Sequence, residues 1–465
     1  MHMYPTVYLM MYGIFAYSIH LFGKYPIRIA IIILTVAGWI LLPQAHFDIP
    51  HIPFRTRTDA ISLALLLGIL VQDPRIFKKF RFHWIDIPAI CWTISPFISS
   101  LTNPELGAYD GLNVLELQII TYTIPYLCGR LYFGSYEALR ELAIGLALGA
   151  IVIVPLVAVE LLVSPQMHTW VYGWYPHDWV QTIRSGGYRP SLFMSHGLEL
   201  AIWNTAGAFI GWQLYIRKVI PNTLPVLNLP TFPSLMALTL ILAASKSSGA
   251  LMLFFMAMTV FQVVIQFKTK LPLYIIFIIP LLYMGLRGSG VWDGRSLLNI
   301  STALTGSKDR TASLEFRMIN EDLLSEKARH KILFGWGGFG RSFVFDKDGN
   351  PISVPDGRWI ILLGSNGLFG LIAYSAFLLM PAFLFILRCP LKEFSTPLAV
   401  PAASFGLFLG ITMIDNLFNS MHNPVLLISV GGLSTLILSE ETLSTFRGNK
   451  AAQLAEAPRY LTRTI

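Results

Sequence analysis

The sequence predicts an all-α fold, a polytopic transmembrane helical bundle of about 12–13 spans with a large outer loop that carries a helix and a small hairpin. Of the 465 residues, 54% are hydrophobic and only 13% are charged, whereas a soluble domain normally carries about 25% charged residues. Apolar runs of about twenty residues recur along the chain, and this length crosses a bilayer as a helix. Helices are expected because a backbone in lipid must satisfy its own hydrogen bonds.

The apolar runs set the domain organisation. The predicted spans are 5–22, 27–43, 58–72, 85–101, 114–133, 138–163, 191–215, 231–245, 249–267, 271–287, 359–388, 395–414 and 422–439. The chain therefore divides into N-terminal transmembrane helices over 1–163, a first outer loop over 164–190, central transmembrane helices over 191–287, a large outer loop over 288–358, C-terminal transmembrane helices over 359–439 and an inner tail over 440–465.

The distribution of Lys and Arg orients the bundle. Basic residues concentrate in the short loops of one side, which we expect to face the cytoplasm. Arg55 and Arg57 fall on the other, outer side and fit this rule poorly. The net charge of +8 does not indicate a nucleic-acid partner, because the basic residues form no continuous face.

No residue pattern predicts a metal or a cofactor. The three cysteines, Cys91, Cys128 and Cys389, show neither a disulfide framework nor metal-ligand spacing. Asp346 and Asp348 have a spacing that suits calcium, but this segment lacks the glycine that an EF-hand loop requires. A hairpin turn explains it better.

The large outer loop is expected to be folded and to cover the mouth of the bundle. Residues Ser313 to Ile332 have an apolar face, which predicts an amphipathic helix with Thr311 or Ser313 as its cap. The glycines of "GWGGFG" end this helix, and "RSFVF", "DKDGN" and "PISV" then predict strand, turn and strand. A dinucleotide-type phosphate loop is excluded, because this glycine run follows a helix instead of a strand.

Ionisable residues stand where the first outer loop enters the next span. Arg189 lies at this junction, and His196 and Glu199 follow within two turns. Charged groups inside spans are costly and indicate function, although a lone arginine there is also explained by snorkelling. Lys246, in "AASKSSGA", is either part of a polar turn or a charge at the outer mouth.

Two further candidates belong to the large loop. Arg317 lies on the amphipathic helix and Asp356 lies where the loop re-enters the membrane. Taken alone, each is explained without function: Arg317 as a solvated charge paired with Glu321 one turn on, and Asp356 as an ordinary loop residue.

Four motifs in this order, within residues 185 to 440, resemble the bacterial O-antigen ligase and O-antigen polymerase superfamily. They are "GYRPSLFMSHGLELA", "SKSSG", "EFRMINEDLLSEKARHKILFGWGGFG" and "DGRWIILLGSNGLFGL". The chain departs from the family pattern at Lys246, where the family has arginine. It departs again at Asp356, Gly357 and Trp359, where the family has histidine, asparagine and tyrosine. His330 and His422 are possible substitutes for that histidine.

The resemblance implies an integral-membrane glycosyltransferase of the bacterial inner membrane that works at the periplasmic face without a metal or cofactor. It implies that Arg189 and Arg317 hold the diphosphate of an undecaprenyl-diphosphate-linked glycan donor, and that Asp356 is the base in an inverting transfer. Further substrate contacts are expected from Lys246, His196 and Glu199. The implied partners are a glycan or lipid acceptor, the lipid bilayer and envelope polysaccharide assembly proteins. A polymerase is favoured over a ligase, because the ligase histidine is missing.

Two other classes of function stay open. A transporter or lipid-carrier flippase predicts internal two-fold repetition and ionisable groups near the membrane midplane. The sequence shows no repetition, and Glu160, Glu199 and Asp415 lie in the outer parts of their spans. A non-catalytic scaffold whose outer loop binds assembly proteins is compatible with the replacement of the family histidine.

Overall fold

The computed structural model describes residues 3–47, 55–184, 186–298 and 308–439. Its α-helices are α1 Pro5–Lys24, α2 Ile27–Leu41, α3 Arg57–Gln72, α4 Ile87–Leu101, α5 Ala108–Gln118, α6 Ile124–Tyr132, α7 Tyr136–Val152, α8 Val154–Val163, α9 Met167–Tyr172, α10 Gly197–Ile216, α11 Thr231–Ala244, α12 Ser248–Gln266, α13 Leu271–Ser289, α14 Lys308–Arg329, α15 Arg358–Arg388, α16 Val400–Asp415 and α17 Pro424–Leu436. A π-helical turn, Ile119–Thr123, joins α5 to α6. Strands β1 Ile183–Arg184 and β2 Gly187–Tyr188 pair antiparallel.

Helices of membrane length confirm the predicted helical, membrane-type fold. Six segments are long and apolar enough to cross a bilayer: Pro5–Lys24, Trp84–Leu101, Tyr136–Val163, Ser248–Gln266, Leu271–Ser289 and Arg358–Arg388. Each predicted span contains a described helix, but six is fewer than the predicted count of about 12–13. Part of the difference lies in α2, α11, α16 and α17, which are apolar but shorter than 18 residues.

The bundle has a buried centre and an apolar exterior. Nearly every side chain of α16 and α17 is buried, and most of those on α10 are buried as well. The outer helices α12 and α13 instead expose large apolar side chains, among them Met252 and Leu282. Helices that are apolar on both their inner and outer faces suit a lipid environment.

Several loops meet at one end of the bundle, here called the loop end and formed by residues 164–196, 245–247, 308–357 and 416–423. The backbone N–H of Arg358 donates to the carbonyl of Asn419 (3.0 Å). Asn103, after α4, donates to the carbonyl of Gly335 (3.1 Å). The opposite end has short connections, where Arg130 pairs with Asp86 (2.7 Å). The loops that the charge pattern places on one side of the membrane thus lie together.

A break in α15 receives the glycine run of the large loop. Gly367 has φ +66° and ψ −166°, which interrupts the helix after its first turns. The backbone N–H of Trp336 donates to the carbonyl of Gly364 just before this break (2.8 Å). An added Cβ at Gly335 would lie 2.5 Å from the carbonyl carbon of Ser365. The glycines therefore allow two backbones to touch, which a side chain would prevent.

Several predicted boundaries need correction. Helix α14 spans Lys308–Arg329 instead of 313–332, and the side chains of its expected caps lie outside the described residues. The predicted hairpin is present in a short form: Phe345 and Pro351 form an antiparallel bridge, and the N–H groups of Asp346 and Ile352 donate to the carbonyls of Asn350 and Val344 (both 2.9 Å). The first outer loop continues to residue 196, because the turn after Pro190 precedes α10. The tail over 440–465 also lies outside the described residues.

Candidate functional site

Helix α14, which carries Arg317, is held against the bundle by a buried ion pair. Arg287, at the end of α13, is 1% exposed and donates from Nε to Glu321 (3.1 Å) and from Nη1 to Asp322 (2.7 Å). Tyr283 also donates to Glu321 (2.8 Å). The prediction that Glu321 pairs with Arg317 is wrong, because Glu321 faces α13 and Arg287 occupies its carboxylate.

Arg317 instead pairs with Asp356, whose carboxylate accepts a hydrogen bond from Nε at 3.2 Å. Both side chains are partly exposed, at 28% and 39%, so the pair contributes little to stability and stays accessible. Arg317 also lies close enough to Asp415 for an electrostatic interaction. The structure thus brings together a cation from the large loop and an acid from the start of α15.

A small cleft adjoins this pair. Its lining residues are Arg317, Asn320, Glu321, Leu324, Val354, Asp356, Gly357, Ile360, Leu417 and Phe418. The space inside it that a water molecule could occupy is about 10 Å³, close to the minimum for one water. A larger ligand must therefore lie outside the cleft, over the loop end.

Arg189 is a buried arginine without a counter-charge. It is 8% exposed, and none of the described carboxylates lies within ion-pair distance. Its Nη2 donates to the carbonyl of Lys246 (3.3 Å), and its Nε has no acceptor among the residues that the structure describes. Burial, and then the positive charges of Arg184 and Arg317, lower the pKa of Arg189 to about 10. It therefore remains charged at neutral pH, with Arg317 nearby.

The loop before α10 fixes the position of Arg189. Glu160, near the end of α8, accepts the backbone N–H groups of Ser191 (2.9 Å) and Leu192 (2.8 Å), which holds the turn just after the arginine. Gly197 lies under the arginine stem, where an added Cβ would approach its Cγ to 2.4 Å. The sequence did not indicate this contact, because a glycine gives no information about which side chain packs against it.

Lys246 and His196 lie beside Arg189. The Lys246 side chain is exposed, and its carbonyl binds the arginine. His196 accepts the backbone N–H of Leu198 (2.9 Å), which caps α10, and its ring packs against His177 with the centroids 4.5 Å apart. His177, His196 and Arg189 line a second small cleft. A role of either residue toward a substrate stays a prediction.

Glu199 is not brought to this cluster. Its carboxylate forms a buried ion pair with Arg57 and accepts the hydroxyl of Ser195 (2.6 Å). Arg57 also donates to the carbonyl of Phe193 (3.1 Å), so the pair ties α3 to the loop before α10. This pairing also explains how Arg57 is accommodated on the side where the charge rule does not expect it.

The fold and the site define a helical protein with membrane-length helices and two neighbouring arginines, one paired with an aspartate, at one end. No family model matches the chain, and no curated protein matches it. The arrangement of these side chains still indicates which ligands they can bind. Two guanidinium groups with open donors bind phosphate or carboxylate oxygens with planar, charge-assisted hydrogen bonds, and an adjacent carboxylate can accept a proton.

Proposed function

We propose that the protein is an integral-membrane glycosyltransferase that takes a glycan from an undecaprenyl-diphosphate carrier at the loop end. The observation that carries the proposal is Arg189, which is buried, charged and without a carboxylate partner in the described part of the chain, next to the charge of Arg317. A diphosphate between the two guanidiniums would supply the missing negative charge. Cations held in place also stabilise the charge that develops on a departing diphosphate.

The proposed reaction uses the Arg317–Asp356 pair as a resting state. A donor diphosphate competes for Arg317 and releases the Asp356 carboxylate. An acceptor hydroxyl then attacks the anomeric carbon of the donor while its proton passes to Asp356. The carbon–oxygen bond to the diphosphate breaks, the diphosphate leaves with the electron pair, and the configuration at the anomeric carbon inverts.

The proposal places the loop end on the periplasmic side of the bacterial inner membrane. The short connections at the opposite end are rich in Lys and Arg, among them Lys78, Lys79 and Arg81, as expected of a cytoplasmic side. The product would be O-antigen or exopolysaccharide. Polymerisation is favoured over ligation, because Asp356 stands where the ligase family has histidine.

The direct test follows glycan transfer by the purified full-length protein in lipid, with a labelled undecaprenyl-diphosphate glycan as donor. Arg189→Gln and Arg317→Gln should each slow transfer by about 10²-fold or more, since each removes a cation that faces the developing charge. Arg295→Gln, at an exposed arginine of the large loop, is the matched control and should retain the wild-type rate. Wild-type transfer by both test variants would exclude this site, and passage of intact donor across the membrane would favour a transporter.

A further inference from the structure

A second unpaired arginine lies two residues beyond Asp356. Arg358 donates from Nη1 to the hydroxyl of Tyr122 (2.9 Å) and from Nη2 to the carbonyl of Ser420 (3.2 Å), and its Nε has no acceptor among the described residues. Its guanidinium lies 5.8 Å from the ring centre of Tyr374. Within the described ranges, no carboxylate lies within ion-pair distance of it. No described residue therefore compensates its charge through an ion pair.

Other unsatisfied polar groups surround this arginine. The Tyr122 hydroxyl accepts from Arg358 and finds no acceptor for its own proton in the described part of the chain. In the described part of the chain, the indole N–H of Trp92 has no acceptor, and its ring lies edge-on to Tyr122 (5.3 Å). Nε2 of His422 has no partner there either, and its ring lies 6.4 Å from Tyr122; it is a donor in the tautomer that carries its proton on this nitrogen. Buried donors normally find acceptors, so the described residues leave this cluster without an acceptor-rich partner.

The free polar groups of this region belong to side chains and not to the backbone at the start of α15. The backbone N–H groups of Arg358 and Trp359 are already bonded to the carbonyls of Asn419 and Asn416, so the start of α15 offers no free N–H at these two positions. Residues 418–422, which follow Asn416 at the loop end, are half-buried. The side-chain amide of Asn416 donates to Tyr374 (3.0 Å), and its oxygen is unpaired.

We propose that the Arg358 cluster, formed by Arg358, Tyr122, Trp92 and His422, binds a phosphate group. A phosphate offers several acceptor oxygens to donors that approach from different directions, and its charge matches the guanidinium. Its source is either a lipid headgroup or free phosphate, which share this chemistry. The inference does not rest on the proposed function, because none of these residues belongs to the Arg189, Arg317 and Asp356 set.

The test measures equilibrium binding of radiolabelled inorganic phosphate, and native mass spectrometry of co-purified anionic lipid, on the full-length protein. The background is the double variant Arg189→Gln with Arg317→Gln, which removes both cations of the proposed catalytic site. Arg358→Gln should raise the Kd for phosphate at least tenfold, or remove the co-purified lipid. Arg388→Gln is the matched control, because Arg388 ends the same helix and also donates to a carbonyl, that of Ile437 (2.5 Å).

Two further measurements identify the source of the phosphate and provide a second variant. Phosphate binding is measured in nanodiscs of phosphatidylglycerol and in nanodiscs of phosphatidylcholine. Weaker phosphate binding in phosphatidylglycerol shows that an anionic lipid headgroup competes for the site. Equal binding in the two lipids assigns the site to free phosphate. If Arg358→Gln does not fold, Tyr122→Phe should weaken binding severalfold. If the variants that fold bind phosphate as tightly as the Arg388→Gln control does, the proposal is wrong. Loss of transfer in Arg317→Gln with phosphate binding retained would separate the two sites.

Discussion

Arg189 carries a buried positive charge that no described carboxylate neutralises through an ion pair. The charged form is disfavoured by burial, as the lowered pKa of about 10 indicates. At neutral pH this arginine is charged in both the folded and the unfolded protein, so the folded state bears the desolvation cost. A bound anion would offset that cost, which links ligand binding to stability.

Neutralising this residue should therefore stabilise the protein without donor. Arg189→Gln should raise the free energy of unfolding by about 1–2 kcal/mol, discounted for partial exposure. Thermal unfolding in detergent measures this effect, and added donor should stabilise the wild type but not the variant. Arg295→Gln, at an exposed arginine of the large loop, should change little. A clear loss of stability in Arg189→Gln would show that the charge is compensated.

Gly197 provides a second test at this scale. Gly197→Ala would bring a Cβ within 2.4 Å of Cγ of Arg189 and 2.8 Å of the carbonyl oxygen of Pro190, so the arginine must move. We expect transfer activity to fall by about tenfold or more, because small displacements of a binding group are costly. Gly249→Ala is the control, since it lies in the first turn of α12 with nothing within 4 Å. Equal activity of the two variants would argue against a positioning role.

At the scale of elements, the placement of α14 depends on the Arg287–Glu321 pair. Removing one partner leaves the other buried and unpaired, which costs about 3–5 kcal/mol. Arg287→Gln should therefore increase hydrogen exchange and proteolysis within α14 and lower transfer through loss of the Arg317 position. Glu326→Gln, on the exposed face of α14, should leave both unchanged. Unaltered protection in Arg287→Gln would mean that apolar packing alone holds the helix.

The contact between the glycine run and α15 allows a comparison of two glycines with positive φ. Gly367→Ala would place a Cβ 2.4 Å from the carbonyl carbon of Leu333, whereas Gly349→Ala meets nothing within 4 Å. Gly349→Ala should cost only backbone strain, about 1 kcal/mol, and Gly367→Ala considerably more. The free energy of unfolding measures both changes. Similar values for the two would show that the backbones can separate without penalty.

The sequence predicted the positions of the helices better than the contacts between side chains. Apolar runs located the helices, and the apolar face of residues 313–332 located most of α14, because periodicity is a local property. Arg287 and Glu321 are 34 positions apart, and nothing local indicates which arginine a buried glutamate will meet. The motifs selected Arg189 and Arg317 as candidates. Their proximity, and the Arg317–Asp356 pair, required the folded chain.

At the scale of the whole molecule, the two ends of the bundle should lie on opposite sides of a membrane. In a variant without the native cysteines, Phe339→Cys at the loop end and Phe82→Cys at the opposite end place thiols at exposed positions, since these phenylalanines are 91% and 59% exposed. An impermeant thiol reagent added to intact spheroplasts should label only Phe339→Cys. Permeabilised cells, in which both should react, are the control. Labelling of only Phe82→Cys in intact cells would reverse the proposed orientation.

The contact between Arg317 and Asp356 carries a kinetic consequence under the proposed function. While the two side chains are joined, an acceptor meets a carboxylate that is already engaged, so productive binding follows a compulsory order with the donor first. Released undecaprenyl diphosphate would then inhibit competitively against the donor and noncompetitively against the acceptor. Donor bound without acceptor would lie beside a released carboxylate, so slow hydrolysis of the carrier glycan by water should occur when acceptor is absent.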